Sequence, residues 1–282
     1  MEPQIQEPSP MARILVPMDR SELAEGALAW AQLLAAKTGD ALHLLTVVPE
    51  DGSVAEAEQY LAAMAGRPAL GSLKVTTEVR QGDAATQIEE AAREDSGMIV
   101  ICSHGHGGFK RLFQGSVADR VVRSAEVPVL VDRAGGIQPG LTNLLVTLDG
   151  SERSETALTP ARALAKVAGA NLHLLRVYNP MAEFTMTPMG PMTDVGDIAQ
   201  KLYEAAEAYM REVSLPGETW EVRSGRPLDV IIEYATEKGC EVIVMATHGR
   251  GGVVRLALGS TSDSVMRAAD RPVLLIPAGT DD

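Results

Sequence analysis

The stretch IVICSHGHGGFKRLFQGSVADRVVRSAEVPVL, residues 99–130, decides the fold because the chain repeats it. It returns as IVMATHGRGGVVRLALGSTSDSVMRAADRPVL at residues 243–274, a shift of 144 positions. Each copy runs from a short apolar segment through a glycine-rich loop into a helical pattern, and then into a second apolar segment. The chain therefore contains an internal duplication.

The glycine-rich loop of each copy ends in a Gly-Ser pair, Gly115-Ser116 in the first and Gly259-Ser260 in the second. Both pairs stand where a helical pattern begins. The first backbone N–H groups of a helix have no partner within the helix, and the helix dipole favours anions there. Glycine also lets a backbone approach a ligand closely. The two copies therefore predict two phosphate sites, unless the glycines serve only as tight connections between strand and helix.

Outward from this motif, apolar segments alternate with helical patterns through both halves of the 282-residue chain. Each half has the order β-α-β-α-β-α-β-α-β, which predicts a parallel sheet covered by helices on both faces. Two domains of about 140 residues each fit the usual size of domains. We expect a first domain at 11–133, a linker rich in glycine at 134–142, and a second domain at 143–279.

The start of each half follows one pattern. The apolar strands ARILVPMD (12–19) and NLLVTLD (143–149) end in aspartate, and LHLLTVV (42–48) and LHLLRVY (172–178) are the second strands. The helices between them should begin at a capping serine and end at a glycine: Ser21 and Gly39 in the first half, Ser151 and Gly169 in the second. Because ligands of open parallel sheets bind beyond the carboxyl ends of the strands, the aspartates and the glycine-rich loops should share one crevice.

Composition limits the partners. With 38 acidic and 25 basic residues the net charge is −13, which opposes nonspecific binding to nucleic acid or to an anionic membrane. The first ten residues, MEPQIQEPSP, lack the basic and apolar regions of a signal peptide, and no apolar run approaches the length of a membrane span. Two cysteines imply no disulfide framework. We expect a cytoplasmic protein with no nucleic-acid or membrane partner.

Two familiar phosphate-binding motifs are absent. A Walker loop ends in Gly-Lys-Ser/Thr, but no lysine stands between Gly115 and Ser116. The segments GHGGFK and GRGGVV do not complete the dinucleotide fingerprint, and they follow a late strand instead of the first one. A generic ATPase or dehydrogenase is therefore not favoured.

The combination of an aspartate after strand one with Gly, nine residues and Gly-Ser resembles the universal stress protein family. The resemblance covers almost the whole chain twice and includes flanks such as GSVADRVVRSAEVPVLV. It implies two tandem five-stranded parallel α/β sandwich domains of the adenine nucleotide alpha hydrolase-like type. It further implies that they pack as a pseudo-dimer through their last strands, with homodimerisation of whole chains as an extension.

The resemblance also implies which residues bind ATP or a related adenine nucleotide, with Mg²⁺ on its phosphates. The aspartate contacts the adenosine, and the residue two positions before it flanks the base. The valine near the end of strand two lines the adenine, while the loop and the first helical residues wrap the phosphates. These residues are Pro17, Asp19, Val47, Gly105, Gly115, Ser116 and Val117 in the first copy and Thr147, Asp149, Val177, Gly249, Gly259, Ser260 and Thr261 in the second.

Some features leave alternatives open. The first glycine of the family pattern is Cys102 in copy one and Ala246 in copy two, and the smaller alanine makes the second site the better one for ATP. Asp19 and Asp149 could instead serve only as helix caps. The alternation of Cys102, His104 and His106 imitates a metal site, but the second copy does not keep it. No metal ligand set is predicted.

The sequence thus predicts an adenine-nucleotide-binding sensor or regulator in stress adaptation. It predicts no catalytic residues, although slow hydrolysis of bound ATP is compatible with it. The alternative is a module of the same family that binds no nucleotide and acts through protein contacts, which the substituted first glycines would permit.

Overall fold

The structure is a computed structural model that describes residues 13–103, 117–133, 136–180, 195–247 and 259–278. The chain divides at residue 134 into two compact units.

In the first unit, strands and helices alternate along the chain. The strands β1–β5 are Arg13–Pro17, Ala41–Val48, Val75–Gln81, Ser96–Ser103 and Val129–Arg133, and the helices α1–α4 are Glu22–Thr38, Val54–Ala65, Ala84–Asp95 and Val117–Ser124, with a 3₁₀ turn at Pro68–Leu70. Neighbouring strands are parallel, in the order β3-β2-β1-β4-β5. The chain moves outward from β1 to β3 and then returns to β4. The carboxyl ends of β1 and β4 therefore flank the switch in strand order, where ligands of such sheets bind.

The second unit repeats this arrangement. Its strands β6–β10 are Asn143–Leu148, Asn171–Tyr178, Thr219–Ser224, Val242–Thr247 and Val273–Pro277, and its helices α5–α9 are Glu152–Glu155, Leu158–Ala168, Val195–Val213, Pro227–Glu237 and Ser260–Ala268. The parallel order is β8-β7-β6-β9-β10. Here β6 and β9 flank the switch.

The first strands of the two units form the centre of each core. Leu15 and Val16 of β1, and Leu144 and Leu145 of β6, are completely buried. Strands with apolar side chains on both faces are stable only when helices cover both faces of the sheet. The continuous apolar runs in these strands are therefore consistent with a sheet that the alternating helices cover on both faces.

The predicted caps of the first helices are confirmed. The Ser21 side chain accepts a hydrogen bond from the Ala24 backbone N, and the Ser151 side chain accepts one from the Ser154 backbone N. Gly39 and Gly169 follow the last helical residues with φ of +79° and +71°. In this left-handed conformation glycine avoids the steric penalty of a side chain.

The first helix of the second unit differs from the prediction. The expected single helix is split into α5 and α6, with Thr156 and Ala157 between them. Pro160 has no backbone N–H to donate to the Thr156 carbonyl four residues earlier, and its ring conflicts with that carbonyl. The break therefore follows from one residue, since the first unit has no proline in α1.

Arg271, which precedes β10, is 5% exposed and ties together the end of α8. Its Nη1 atom donates to the backbone oxygens of Ala235 and Cys240, both at 2.7 Å, and its Nη2 atom donates to the Thr236 hydroxyl at 3.0 Å. Asp270 pairs with the guanidinium at 2.8 Å. One buried side chain thus links the last turn of α8 to Cys240, in the segment between α8 and β9.

The predicted tandem of five-stranded parallel α/β units is confirmed, whereas their packing as a pseudo-dimer stays a prediction. Residues 181–194, between β7 and α7, lie outside the described residues. Helix α7 begins at Val195.

Candidate functional site

A turn with the same geometry follows the first strand of each unit. The Asp19 Oδ1 atom accepts hydrogen bonds from the backbone N of Ser21 at 3.0 Å and from its hydroxyl. The Asp149 Oδ1 atom accepts the same two bonds from Ser151, at 3.0 and 2.6 Å. The serines cap the helices, so the alternative in which the aspartates are the caps is wrong. Each aspartate instead orients its serine and stands at the carboxyl edge of the sheet.

The Asp149 carboxyl group stays negatively charged. Partial burial raises the pKa of Asp149, but hydrogen bonds from Ser151 and Ser154 and the positive charge of Arg176 outweigh this effect and hold it below its ordinary value. A group with a depressed pKa is ionised throughout the neutral range. The turn therefore presents a fixed hydrogen-bond acceptor.

The other residues predicted near the base lie at the same edge. Pro17 ends β1, and Thr147 stands one residue before the end of β6. Val47 and Val177 occupy the matching positions in β2 and β7. Because β1 pairs with β2 and β6 with β7 in parallel, these strand ends are adjacent. The Thr147 side chain is buried.

A cavity of about 460 Å³ opens at this edge in the second unit. Strand ends contribute Asp149, Gly150, Arg176 and Val177, and α7 contributes an opposite wall that includes Ala206 and Tyr209. Cavities of roughly 300–1,000 Å³ with apolar walls and a few polar groups are typical of sites for small molecules. Two of the predicted residues, Asp149 and Val177, therefore line one cavity.

Only some of the residues predicted to bind the phosphates lie within the described part of the chain. Gly105, Gly115, Ser116 and Gly249 lie outside the described residues. Val117 begins α4 and is exposed. Gly259 is the N-cap of α9, and the helix continues through Ser260 and Thr261 without a hydrogen bond from a capping side chain. The start of α9 therefore differs from the starts of α1 and α5, which serines cap.

The substituted glycine positions face different surroundings. A Cβ atom at Gly26 of α1 would lie 3.9 Å from the Cys102 Sγ atom and 3.8 Å from Asp132 Oδ2. The Cys102 thiol is therefore directed at α1. The carbonyl of Ala246, its counterpart, accepts a hydrogen bond from the Ser262 hydroxyl at 3.2 Å.

Asp132 is a buried carboxyl group that sequence reasoning missed. It lies in β5, paired with Cys102 of β4, and is 6% exposed. Burial raises the pKa of Asp132 to about 6, against the opposing effect of hydrogen bonds from the Arg133 backbone and the Trp30 side chain. The second unit has Ile276 at the equivalent position, 144 residues later.

The cavity also contains polar residues that sequence reasoning missed: Arg176, Tyr178, Asn179 and Tyr209. The signal was available for Arg176. Aligning the second strands at their shift of 130 residues places it opposite Thr46, and the same shift places Gly150 opposite Arg20. The first unit therefore has arginine in the turn and threonine in the second strand, whereas the second unit has glycine in the turn and arginine in the strand.

Arg20 has a positive φ of +68°, the position that glycine occupies in the second unit with φ of +82°. A left-handed conformation disfavours residues other than glycine by about 1–2 kcal/mol, and part of that is offset by the greater freedom of glycine in the unfolded chain. We expect Arg20→Gly to raise the free energy of unfolding of the first unit by about 0.5–1 kcal/mol, measured by urea denaturation.

Arg20→Ala is the control, because it removes the exposed ion pair with Glu56 but keeps a Cβ atom. Such pairs contribute little, so Arg20→Ala should change stability less than Arg20→Gly. Equal effects of the two variants would contradict a backbone origin.

Comparison with known proteins identifies the family. The model of the universal stress protein family matches residues 11–133 and again 140–277. The chain belongs to the universal stress protein family. It contains two copies of that domain in tandem.

Relatives and solved structures of the universal stress protein family agree with this assignment. A universal stress protein of Mycolicibacterium smegmatis is 27% identical, with 93% of this chain and 96% of the relative covered. One from Thermus aquaticus is 31% identical over 47% of this chain and 96% of its own length. The crystal structure of a universal stress protein from Archaeoglobus fulgidus has a TM-score of 0.72 at 24% identity and covers 95% of this chain and 98% of its own, which shows the shared fold.

The described part of the chain has no helix with the length and apolarity required to span a bilayer. Among the same residues, no group of three or more His, Cys, Asp or Glu side chains is arranged to hold a metal ion.

Proposed function

We propose that this universal stress protein binds ATP or a related adenine nucleotide, carries Mg²⁺ on the phosphates, and acts as a regulator in stress adaptation. One observation carries the proposal. The cavity of the second unit brings together an ionised aspartate, Val177 and an apolar helix wall at the carboxyl ends of β6 and β7, of which β6 also flanks the switch in strand order.

The chemistry of this cavity suits a nucleoside. A carboxylate that accepts hydrogen bonds is a common partner of ribose hydroxyls. The Asp149 Oδ1 atom is used by Ser151, so Oδ2 is the oxygen for a sugar. Leu202 and Ala206 of α7 give the base an apolar surface.

The start of α9 supports a phosphate position. Strand β9 neighbours β6, so the chain leaves Thr247 at the edge that holds Asp149. It enters α9 at Gly259, where no side chain takes up the first N–H groups. Such a helix start favours an anion. Because no cluster of metal ligands lies among the described residues, Mg²⁺ would be held mainly by phosphate oxygens, as is common for this ion.

The proposed role is binding without catalysis. The Asp149 carboxylate has a depressed pKa, so it is a weak general base at neutral pH. Slow hydrolysis of bound ATP is a separate property, and mass spectrometry of the incubated protein would detect it through the ADP formed.

A second candidate function, a protein-interaction module without nucleotide, is favoured for the first unit by Asp132. Its carboxyl group lies beside Cys102, near the end of the strand that leads into the first glycine-rich loop. A negative charge at that edge would repel phosphates. We therefore expect one nucleotide per chain, in the second unit.

The test is calorimetric titration with MgATP together with mass spectrometry of the purified protein. We expect a stoichiometry of one, and a ligand at 100 times its dissociation constant should stabilise its unit by about 2.7 kcal/mol. Asp149→Ala should abolish this gain, whereas the matched variant Asp19→Ala should keep it. Failure of ATP, ADP and AMP to bind would refute the proposal and favour the interaction module.

A further inference from the structure

The two units differ by an exchange of charge at the edge that holds the aspartates. The first unit has Arg20 in the turn and Thr46 in the second strand, and the second unit has Gly150 in the turn and Arg176 in the strand. The strand residues behave differently. The Thr46 hydroxyl is buried and donates to the Met18 carbonyl at 2.8 Å, whereas Arg176 lines the cavity.

The guanidinium of Arg176 is held in place from two sides. Its Nη1 atom donates to the Val177 carbonyl at 2.8 Å. A Cβ atom at Gly150 would lie 3.4 Å from Nη2 and 3.5 Å from Nε, so the guanidinium rests against the backbone of the turn. The glycine leaves room for this approach. A fixed positive charge therefore stands in the cavity next to the turn that presents Asp149.

The hydrogen bonds of the Asp149 turn do not by themselves account for an arginine at this position. The Asp149 turn is held by two hydrogen bonds from Ser151, and the Asp19 turn of the first unit is held by the same two bonds from Ser21. The first unit builds that turn with threonine at the position of Arg176. The geometry of the turn therefore does not require an arginine.

The charge changes which sugar the cavity would accept. An aspartate alone binds the hydroxyls of an unmodified ribose and repels a phosphate attached to them. An arginine next to it offers planar, charged donors that suit phosphate oxygens. In dinucleotide-binding folds, the same difference between acidic and arginine side chains separates ribose with a free 2′-hydroxyl from ribose with a 2′-phosphate.

We propose that Arg176 is a specificity-determining residue and that the second unit prefers an adenine nucleotide with an additional phosphate on the 2′- or 3′-oxygen of the ribose. This inference rests on the proposed nucleotide binding and narrows its ligand class. Arg176 binds the additional phosphate, and Asp149 binds the remaining hydroxyl. The first unit, with Thr46 at this position, lacks the preference.

The experiment compares three probes by calorimetry at 0.15 M salt: 5′-AMP, adenosine 3′,5′-bisphosphate and adenosine 2′,5′-bisphosphate. They differ only in the ribose phosphate. We expect at least one bisphosphate to bind the full chain tenfold or more tightly than 5′-AMP. Arg176→Thr, which installs the residue of the first unit, should remove that preference, so that the bisphosphates bind this variant no more tightly than 5′-AMP does.

Lys166→Thr is the control, because it removes one positive charge from an exposed position in the last turn of α6, at the opposite edge of the sheet. Lys166→Thr should keep the tenfold preference. That result would show that the preference comes from a local contact with Arg176 and not from the net charge of the chain. Equal binding of all three probes to the unmodified chain would overturn the inference while leaving nucleotide binding intact. A parallel loss of affinity for all probes in Arg176→Thr would overturn it as well. No binding of any probe or of MgATP would overturn both proposals.

Discussion

Arg271→Val is expected to lower the free energy of unfolding of the second unit by about 3 kcal/mol. The guanidinium is buried and donates to two backbone carbonyls and a hydroxyl at the end of α8. Hydrogen bonds from charged groups contribute about 1.5–3 kcal/mol each, and buried acceptors left without them are destabilising. Valine is the residue that the first unit has at the equivalent position, Val127, so the change introduces a side chain that this fold accepts.

The measurement is urea denaturation followed by tryptophan fluorescence. The two tryptophans, Trp30 and Trp220, lie one in each unit, so Trp30→Phe leaves a reporter of the second unit only. Arg211→Val on the exposed side of α7 is the control, because its ion pair with Glu207 is largely solvated. It should change stability by less than about 0.5 kcal/mol. A similarly small effect of Arg271→Val would show that α8 does not depend on this side chain.

Asp132→Asn is expected to raise the free energy of unfolding of the first unit by about 2 kcal/mol at pH 7. The folded state raises the pKa of Asp132 to about 6 through burial, whereas an unfolded chain has a value of about 3.9. As pH rises from about 4 to 6, the unfolded state releases the proton first, so this group makes folding progressively less favourable. Above pH 6 the loss is complete, and asparagine avoids it.

The difference between Asp132→Asn and the unmodified chain should therefore approach zero near pH 4 and grow until about pH 6. Stability is followed against pH in a Trp220→Phe background, which reports on the first unit. Asp83→Asn is the comparison, since that carboxylate is exposed and pairs with Arg120, and it should give no gain at pH 7. A destabilised Asp132→Asn at pH 7 would show that its ionised form makes contacts stronger than the effect of burial.

The parts of the fold that were predictable depend on local chemistry. The runs in β1 and β6 are apolar at successive positions, which indicates strands buried on both faces. Serine at a helix start and glycine at a helix end act through their own backbone neighbours, so Ser21 and Gly39 were identifiable without any tertiary contact. The aspartate turns were located for the same reason.

The unpredicted parts depend on contacts between distant elements. Arg176 stands inside an apolar run, LHLLRVY, and its place in a cavity depends on α7 lying across the strand ends. The burial of Asp132 depends on α1 placing Trp30 and Gly26 over β5. The split between α5 and α6 was different in kind. It depends on Pro160 alone, whose missing N–H is visible in the sequence within a segment that otherwise has a continuous helical pattern.

The split between α5 and α6 also affects how early the first helix of each unit can form during synthesis. Isolated helices shorter than about 12–15 residues are marginal in water, and α1 has 17 residues whereas α6 has 11. The helix of the earlier half is thus long enough to begin forming on the nascent polypeptide before its sheet is complete. Its shorter counterpart depends more on packing against β6 and β7, and β7 follows it along the chain, so this helix is expected to become stable only after the second strand of its unit has been made.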